Sequence, residues 1–314
     1  GFTVGPFIQS TTKINEKLNL VLGGRYDFMK AHVKEPLPPI PAEDEISVAI
    51  PNFNGSLIYK TTDTSSVYFT YNYSQNTSGA VGNGGGITGW SSDANGNNFL
   101  DKEKFTQPST LYEAGSKFAL MGSKVFLNFA IYDQKRTAKA TSSTFIQEFH
   151  TKGFEAEINY QPNKNFYATA SYSYIDATVT YGGDYPFFGA PLEIPPGNQA
   201  HYAPANGSTV KVSGLPSHLF NGLVSYSFSN GLSVSANTVV TGEMNNNASG
   251  SLVIPWQYSI DASVSYKIKK WDFRLSVTNV TDEKNWSPPN GIYGNGSILA
   301  LPGTQGQFTV RYSF

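Results

Sequence analysis

The stretch Phe308-Thr-Val-Arg-Tyr-Ser-Phe314 decides the fold class of this chain. Successive side chains of a strand point to opposite faces, so Phe308, Val310, Tyr312 and Phe314 share one face and polar residues occupy the other. In a soluble protein, an apolar terminal strand is an edge that promotes aggregation. The last strand of a membrane β-barrel needs this pattern, because one face contacts lipid and the other a polar lumen. The stretch therefore predicts the closing strand of a transmembrane barrel.

The composition favours a lipid-facing surface built from strands rather than helices. Charged residues are 14% of the 314 residues and aromatic residues another 14%, whereas charged residues are about a quarter of a soluble domain. The mean hydropathy is nevertheless −0.29. No apolar run approaches the roughly 18 residues of a membrane helix. Apolar and polar residues that alternate within strands reconcile these facts.

Charge and cysteine content exclude several classes of function. The net charge is −1, and no basic cluster contains interleaved aromatic residues, so we expect no nucleic-acid partner. The chain has no Cys, which excludes disulfides and thiolate metal sites and fits an exported protein.

Strand-like alternation recurs along the chain and predicts about 13 strands. Each run approaches the 9–11 residues that a tilted membrane strand needs. The predicted strands cover about 2–13, 18–26, 53–60, 66–77, 109–119, 124–137, 154–160, 166–177, 217–228, 232–243, 258–268, 271–278 and 308–314.

The connections between these strands alternate between short and long, as they do in outer-membrane barrels. Six short turns are predicted at Asn15-Glu16, Asp63-Thr64, Gly122-Ser123, Asn163-Lys164, Asn230-Gly231 and Lys269-Lys270. Long polar connections are predicted at 35–52, 78–108, 139–149, 178–215, 244–253 and 283–306. Aromatic residues gather beside the short turns and predict a periplasmic girdle: Tyr59, Phe118, Tyr160, Phe166, Phe228, Tyr266, Trp271 and Phe314.

The odd number of strands predicts an incomplete barrel. Bacterial single-chain barrels have an even number of strands and both ends in the periplasm, whereas an odd count places Gly1 outside the cell. We therefore expect residues 1–314 to be the C-terminal portion of a larger barrel.

Six motifs, in order, resemble the C-terminal part of the barrel of TonB-dependent outer-membrane receptors, the siderophore-receptor type in particular. One departure is minor: the family usually has an aromatic residue near position 285, and here Trp286 follows it. The motifs are Gly23-Gly-Arg-Tyr-Asp27, Tyr112-Glu-Ala-Gly-Ser-Lys-Phe118, Gly153-Phe-Glu-Ala-Glu157 with Tyr160-Gln-Pro162, Ser171-Tyr-Ser-Tyr-Ile-Asp-Ala177, Pro216-Ser-His218 and Asn279-Val-Thr-Asp282.

The resemblance implies an all-β, antiparallel up-and-down barrel of 22 strands in the bacterial outer membrane, plugged by an N-terminal domain. It implies gated import of a scarce ligand such as a ferric siderophore or another metal chelate, without covalent catalysis or a cofactor. The implied partners are outer-membrane lipid, the plug, TonB through the plug, and the barrel-assembly machinery. That machinery would use Phe308, Val310, Tyr312 and Phe314 as its assembly signal.

Ten charged residues on the polar faces of the predicted strands are expected to face the lumen. In the resembled family they would hold the plug, whereas pairing within the wall, for example of Asp261 with Arg274, is the simpler alternative. The ten are Arg25, Asp27, Glu113, Lys117, Glu155, Glu157, Asp261, Asp272, Arg274 and Arg311.

Ligand capture is expected in the outer loops, where exposed aromatic residues are candidate anchors. Packing between loops is an alternative role for each of them. The candidates are Trp90, Tyr181, Tyr185, Phe187, Phe188, Tyr202, Trp286 and Tyr293.

Metal sites are weakly indicated. Asp93, Asn95, Asn97 and Asp101 resemble a fragment of a calcium loop, but its glycine is misplaced and Lys104 stands where the closing Glu is needed. The four His residues have no metal-site spacing.

Two other function classes remain open at this point. A passive diffusion porin of about 16 strands suits a chain of this length. A barrel enzyme would need a nucleophile, a His and an orienting group together, and Ser217 and His218 point to opposite faces of one strand.

Overall fold

One antiparallel sheet dominates the computed structural model, which describes residues 1–35, 42–77, 90–102, 106–139, 146–182, 207–246, 250, 252–288 and 298–314. In chain order the strands are β1 (Phe2–Val4), β2 (Phe7–Lys13), β3 (Leu18–Glu35), β4 (Ala42–Thr62), β5 (Ser65–Thr77), β6 (Trp90–Ser92), β7 (Asn98–Leu100), β8 (Thr106–Leu120), β9 (Val125–Lys139), β10 (Ile146–Asn163), β11 (Phe166–Gly182), β12 (Thr209–Lys211), β13 (His218–Ser227), β14 (Leu232–Thr241), β15 (Met244–Asn245), β16 (Val253–Ile254), β17 (Gln257–Ile268), β18 (Trp271–Thr278), β19 (Trp286–Ser287), β20 (Leu299–Ala300) and β21 (Gln305–Tyr312).

The sheet is an up-and-down meander. Its strands follow one another as β1-β3-β4-β5-β8-β9-β10-β11-β13-β14-β17-β18-β21, all antiparallel, with β2 beside β3 and β12 beside β11. Because β1 and β2 continue one another along β3, the described part of the chain contains 13 strand positions. The predicted fold class and the count of about 13 are confirmed. The described part contains no helix with the length and hydropathy needed to cross a membrane.

Asparagine side chains form several of the short turns. Asn15 Oδ1 accepts hydrogen bonds of 2.9 Å from the backbone amides of Lys17 and Leu18. Asn163 Oδ1 accepts bonds of 2.8 and 3.1 Å from the amides of Asn165 and Phe166. Such side-chain bonds stabilise a tight reversal. All six predicted short turns are confirmed at their positions.

One face of the sheet is apolar across every strand of the meander. The register places Val234 opposite Val264, Val264 opposite Leu275, and Leu275 opposite Phe308. These side chains are 36–65% exposed and form one contiguous apolar patch. Patches of this kind are rare on soluble proteins. This outer face is therefore the lipid-facing surface, and the opposite face is the inner face.

The predicted aromatic residues lie on this outer face beside the short turns. Trp271 and Tyr312 have ring centroids 4.7 Å apart, and Tyr312 and Phe314 are 5.2 Å apart. Tyr160 and Phe166 are 5.7 Å apart across another turn. Rings on the outer face beside the short turns suit the level of the lipid headgroups, which agrees with a periplasmic girdle.

Several predicted long connections are shorter than the sequence suggested, because strands extend into them. Strand β4 already begins at Ala42, inside the predicted connection 35–52, and β10 begins at Ile146, inside 139–149. Short hairpins occupy parts of three others: β6–β7, β15–β16 and β19–β20.

The alternation changes phase in these strand extensions, and this explains why the sequence hid them. In β4, Leu57 and Tyr59 are on the outer face, whereas the apolar residues farther up, Ile46, Val48 and Ile50, are on the inner face and buried. The apolar residues of β4 therefore shift from odd positions within the lipid to even positions above it. An apolar outer face is required only within lipid; above it the outer face meets water.

The upper part of β3 and β4 shows both sides of this reversal. On the inner face, Ile46 and its apolar neighbours pack against Leu100 of β7, whose amide donates to Asp44 Oδ2 at 2.7 Å. On the outer face, Glu43 lies 2.8 Å from Lys34 Nζ and 2.9 Å from His32 Nε2. Hydrogen bonding to Lys34, and then to His32, holds the pKa of the Glu43 carboxyl below its ordinary value.

The same reversal occurs on β9, β10 and β11. The outer row formed by Ile131, Phe154 and Tyr174 is apolar. The next outer row upward is charged, with Lys152 opposite both Asp133 and Asp176. We infer that the upper border of the hydrocarbon layer runs between these two rows.

Candidate functional site

The inner face carries all ten charged residues that the sequence placed toward the lumen. The register puts Asp272 opposite Arg311, and Arg274 opposite Thr309, on the face away from Phe308 and Val310. The remaining members occupy the equivalent inner face of β3, β8, β10 and β17.

Arg25 and Asp27 form an ion pair within one strand. Arg25 Nη2 lies 2.6 Å from Asp27 Oδ1, and Arg25 Nε lies 2.8 Å from Asp27 Oδ2. The pair crosses over Gly5, where an added Cβ would lie 1.8 Å from Asp27 Oδ1. The glycine therefore leaves space for the pair, and a side chain there would displace it.

Several of the inner carboxylates accept hydrogen bonds from neutral groups. Glu113 accepts from Tyr68 Oη at 2.7 Å. Glu157 accepts from Asn128 at 3.3 Å and also from Asn159. Such carboxylates are satisfied without a cation.

The suggested pairing of Asp261 with Arg274 is wrong. Asp261 accepts from the backbone amide of Asn279 at 2.8 Å and from Asn237 Nδ2 at 3.3 Å. Arg274 lies opposite Ser265 instead, near the short-turn end of the strand. The register separates the two charges along the strand direction, which the sequence alone could not define.

Three charged groups near the end of the sheet are free of partners within the described residues. No side-chain hydrogen bond or ion pair joins Arg274, Arg311 or Asp272 to any described residue. Lys117 also lacks a carboxylate partner in this part of the chain, and its Nζ lies 5.6 Å from the centroid of the Tyr68 ring. An enclosed lumen requires such charges to be hydrated or paired.

A polar surface beside Arg25 escaped the sequence analysis. Asn52, Asn54, Asn72 and Gln9 extend across the inner face of β2, β4 and β5, at a cavity of about 430 Å³. These side chains are uncharged, whereas the prediction of lumen-facing residues rests on charge alone. Because alternate residues of a strand point to opposite faces, the positions of these four residues in the sequence are enough to place them on the inner face.

A second missed residue is Arg136, on the inner face above the inferred lipid border. Its guanidinium carbon lies 5.0 Å from the centroid of the Phe149 ring, directly opposite on β10. This geometry is that of a cation–π contact. The sequence predicts that β9 ends at 137 and that Phe149 belongs to a long connection.

The outer aromatic candidates are only partly placed. Trp286 lies in β19, opposite Ala300, is 37% exposed, and its carbonyl accepts from Gln257 Nε2 at 2.9 Å. The backbones of Trp90 and Tyr181 lie in β6 and β11, opposite Leu100 and Gln147. The other five candidates lie outside the described residues: Tyr185, Phe187, Phe188, Tyr202 and Tyr293.

The loop that resembles a calcium site uses its carboxylate internally. Asp93 Oδ1 accepts from the amides of Asn95 and Asn97 at 2.8 Å each, and Oδ2 accepts from Asn97 Nδ2 at 2.9 Å. These bonds form the turn between β6 and β7. The described residues contain no group of three or more His, Asp or Glu side chains suited to a metal ion.

Comparison with known proteins identifies a family. The family described as TonB-dependent receptor-like β-barrels matches residues 1–280. The curated protein PiuA of Acinetobacter baumannii, described as a "probable TonB-dependent siderophore receptor", is 22% identical over an alignment of 264 residues that covers 79% of this chain and 33% of PiuA.

Solved structures show the same fold. The ferric-catecholate import receptor Fiu of Escherichia coli K12 aligns over 99% of this chain and 44% of its own, with a TM-score of 0.74 and 18% identity. The ferripyoverdine receptor of the outer membrane of Pseudomonas aeruginosa aligns over 99% and 38%, with a TM-score of 0.70 and 18% identity. The chain thus spans a third to under half the length of these relatives.

Proposed function

Because the chain belongs to the family of TonB-dependent receptor-like β-barrels, we propose that it forms part of a receptor that imports a ferric siderophore or another metal chelate by energy-coupled gating. The family is one of receptors of the bacterial outer membrane and not of enzymes. The observation that carries the proposal is the family match over residues 1–280. PiuA and Fiu, described as siderophore and ferric-catecholate receptors, support the choice of ligand class.

The partners follow from the same proposal. The 13 strands would be one portion of a larger barrel, completed by further strands and plugged by an N-terminal domain that contacts TonB. Arg274, Arg311 and Asp272 support the presence of a lumenal partner, because charges in an enclosed space are costly unless paired. We assign the contact with the plug to these three residues first. Ligand capture falls to the aromatic residues of the outer loops.

Uptake by intact cells tests the transport proposal. Cells that carry the complete protein should accumulate radiolabelled iron from ferric siderophores only while the inner membrane is energised, because gating depends on TonB. An uncoupler should abolish accumulation and leave surface binding in place. Accumulation that persists in uncoupled cells would contradict energy coupling.

Conductance separates the receptor from the diffusion porin. The complete protein, reconstituted in a planar bilayer, should remain nearly silent, because a plugged lumen blocks ions, whereas a porin forms an open aqueous channel. Steady ohmic conductance in the absence of ligand would favour the porin.

The last residue is expected to matter for assembly. Phe314 is fully exposed and lies against Tyr312. We propose that the barrel-assembly machinery recognises this face of β21, which also contains Phe308 and Val310. Phe314→Ala should lower the amount of folded protein in the outer membrane severalfold, as measured by the fraction whose electrophoretic mobility changes on heating. Ser313→Ala, on the other face, is the control; an equal loss in both variants would reject recognition through the aromatic face.

A further inference from the structure

A cleft lies in the barrel wall beside β11. Strands β12 and β13 both pair with β11, and the amide of Val212 still donates to the carbonyl of Ala177 at 3.0 Å, but residues 213–216 between the two strands do not pair with β11. The ladder resumes where the amide of Ile175 donates to the carbonyl of Ser217 at 2.9 Å. The resulting cavity has a volume of about 310 Å³ and includes side chains from β12, β13 and the β15–β16 hairpin.

Aromatic rings form one side of this cleft. The rings of His218 and Trp256 stack with a centroid distance of 5.3 Å and an interplanar angle of 24°. The centroid of the Tyr174 ring lies 5.2 Å from that of His218. Tyr172 Oη and His218 Nδ1 are 2.8 Å apart, which fixes the imidazole. Trp256 nevertheless remains 56% exposed. The rings therefore offer a preformed platform rather than a closed core.

Polar groups of both charges line the rest of the cleft. They are Lys211, Glu243, Asn245 and Ser217. Lys211 contacts Asp176, and an ammonium has three donors, so this contact leaves others available. Carboxylate and amide oxygens accept hydrogen bonds from hydroxyl groups, and an ammonium donates to phosphate oxygens.

The cleft lies at the level of the lipid headgroups. Tyr174 and His218 belong to the last apolar row of the outer face, and the row above it contains Lys152 and Asp176. His218 and Lys211 both lie on this outer face, which is continuous with the lipid-facing surface. The outer leaflet therefore has access to the cleft.

We propose that this cleft binds the phosphorylated sugar headgroup of a glycolipid of the outer leaflet. The sugar would lie against Trp256, its hydroxyl groups would donate to Glu243 and Asn245, and Lys211 would bind the phosphate. An exposed aromatic surface with a few convergent polar groups is the usual composition of a small-ligand site. An ordinary aromatic belt needs only aromatic rings at the interface. It would not require the hydrogen-bond acceptors of Glu243 and Asn245 or the ammonium of Lys211 beside the rings.

Native mass spectrometry of the complete protein tests this site. The protein in detergent is titrated with lipid A, a phosphorylated diglucosamine glycolipid, and separately with dephosphorylated lipid A and with phosphatidylglycerol. We expect specific retention of lipid A. Trp256→Ala should weaken it by roughly tenfold, the effect of losing one aromatic anchor, and Lys211→Ala should weaken binding of the phosphorylated form selectively.

Trp271→Ala is the matched control, because Trp271 is also a partly exposed tryptophan of the outer face but lies at the short-turn end. It should leave lipid A binding unchanged. Heat-dependent mobility of each variant reports whether it is folded, and the conservative variant Trp256→Phe should retain most of the binding.

Three results would overturn the proposal: equal losses in the Trp256 and Trp271 variants, equal retention of phosphatidylglycerol, or no retention of lipid A by the unaltered protein. Iron uptake is measured independently, so failure of this site leaves the transport proposal standing.

Discussion

Val264→Arg is expected to lower the free energy of unfolding by about 2–4 kcal/mol, the cost of an arginine at the lipid-facing midplane of a barrel. Val264 lies near the middle of β17, on the outer face, between Val234 and Leu275. Its side chain is 46% exposed. In lipid, an arginine there either leaves its charge in hydrocarbon or distorts the bilayer around it. Unfolding by urea in lipid vesicles measures the change.

Ser263→Arg is the matched control, since Ser263 is the preceding residue on the inner face. It lies opposite Ser235, with which it shares a hydrogen bond of 2.8 Å, and opposite Ser276. Because its neighbours are small and the lumen is polar, an arginine at this position should lower the free energy of unfolding much less than Val264→Arg does. If both variants lost the same stability, the assignment of the two faces would be wrong.

Gly153→Ala should destabilise the sheet by about 1–3 kcal/mol, the range for an overpacked site. Gly153 lies on the inner face of β10, directly opposite Tyr132. An added Cβ would lie 2.3 Å from the tyrosine ring, so the ring would have to move. The glycine is therefore a recess that the Tyr132 ring covers. At Gly115 an added Cβ would lie 2.5 Å from the Tyr68 ring, and also 2.5 Å from the backbone carbonyl of Phe129.

The double variant Gly153→Ala/Tyr132→Ala separates this contact from a backbone effect. Removal of the ring should abolish the penalty of the added methyl group, which gives a coupling energy between the two sites. Gly24→Ala is the control, because the nearest atom to its Cβ, in the Phe53 ring, is 3.9 Å away. A penalty at Gly153 that persists without Tyr132 would show that the backbone, not the ring, requires glycine.

The parts of the fold that the sequence predicted are those set by local, repeating rules. Period-two alternation located the membrane part of each strand, and Asn15 and Asn163 marked turns that their own side chains stabilise. The outer placement of Tyr160 and Trp271 followed from the same parity. These rules hold because lipid acts equally on every strand.

The parts that the sequence missed depend on what each strand faces above the membrane. Ile46, Val48 and Ile50 alternate as regularly as Leu57 and Tyr59, but in the opposite phase, since they pack inward. A search for one phase ends the strand too early. For the candidate site, parity placed the charges on the inner face, but the partners of Asp261 depended on the register of neighbouring strands. The spacing of the His residues predicts no metal site and gives His218 no role, but its ring lies in an aromatic cluster formed by three separate segments.

The most direct test of the two-faced sheet and its upper border is a scan of single cysteines along β10, which the absence of native Cys makes possible. Spin labels at positions 150–160 report access to oxygen, which concentrates in lipid, and to a water-soluble nickel chelate. We expect lipid contact at Phe154, Ala156 and Ile158, and access to water at His150 and Lys152. Lipid contact that continued through Lys152 and His150, or the lack of any alternation between neighbouring positions, would contradict the two-faced sheet with this upper border.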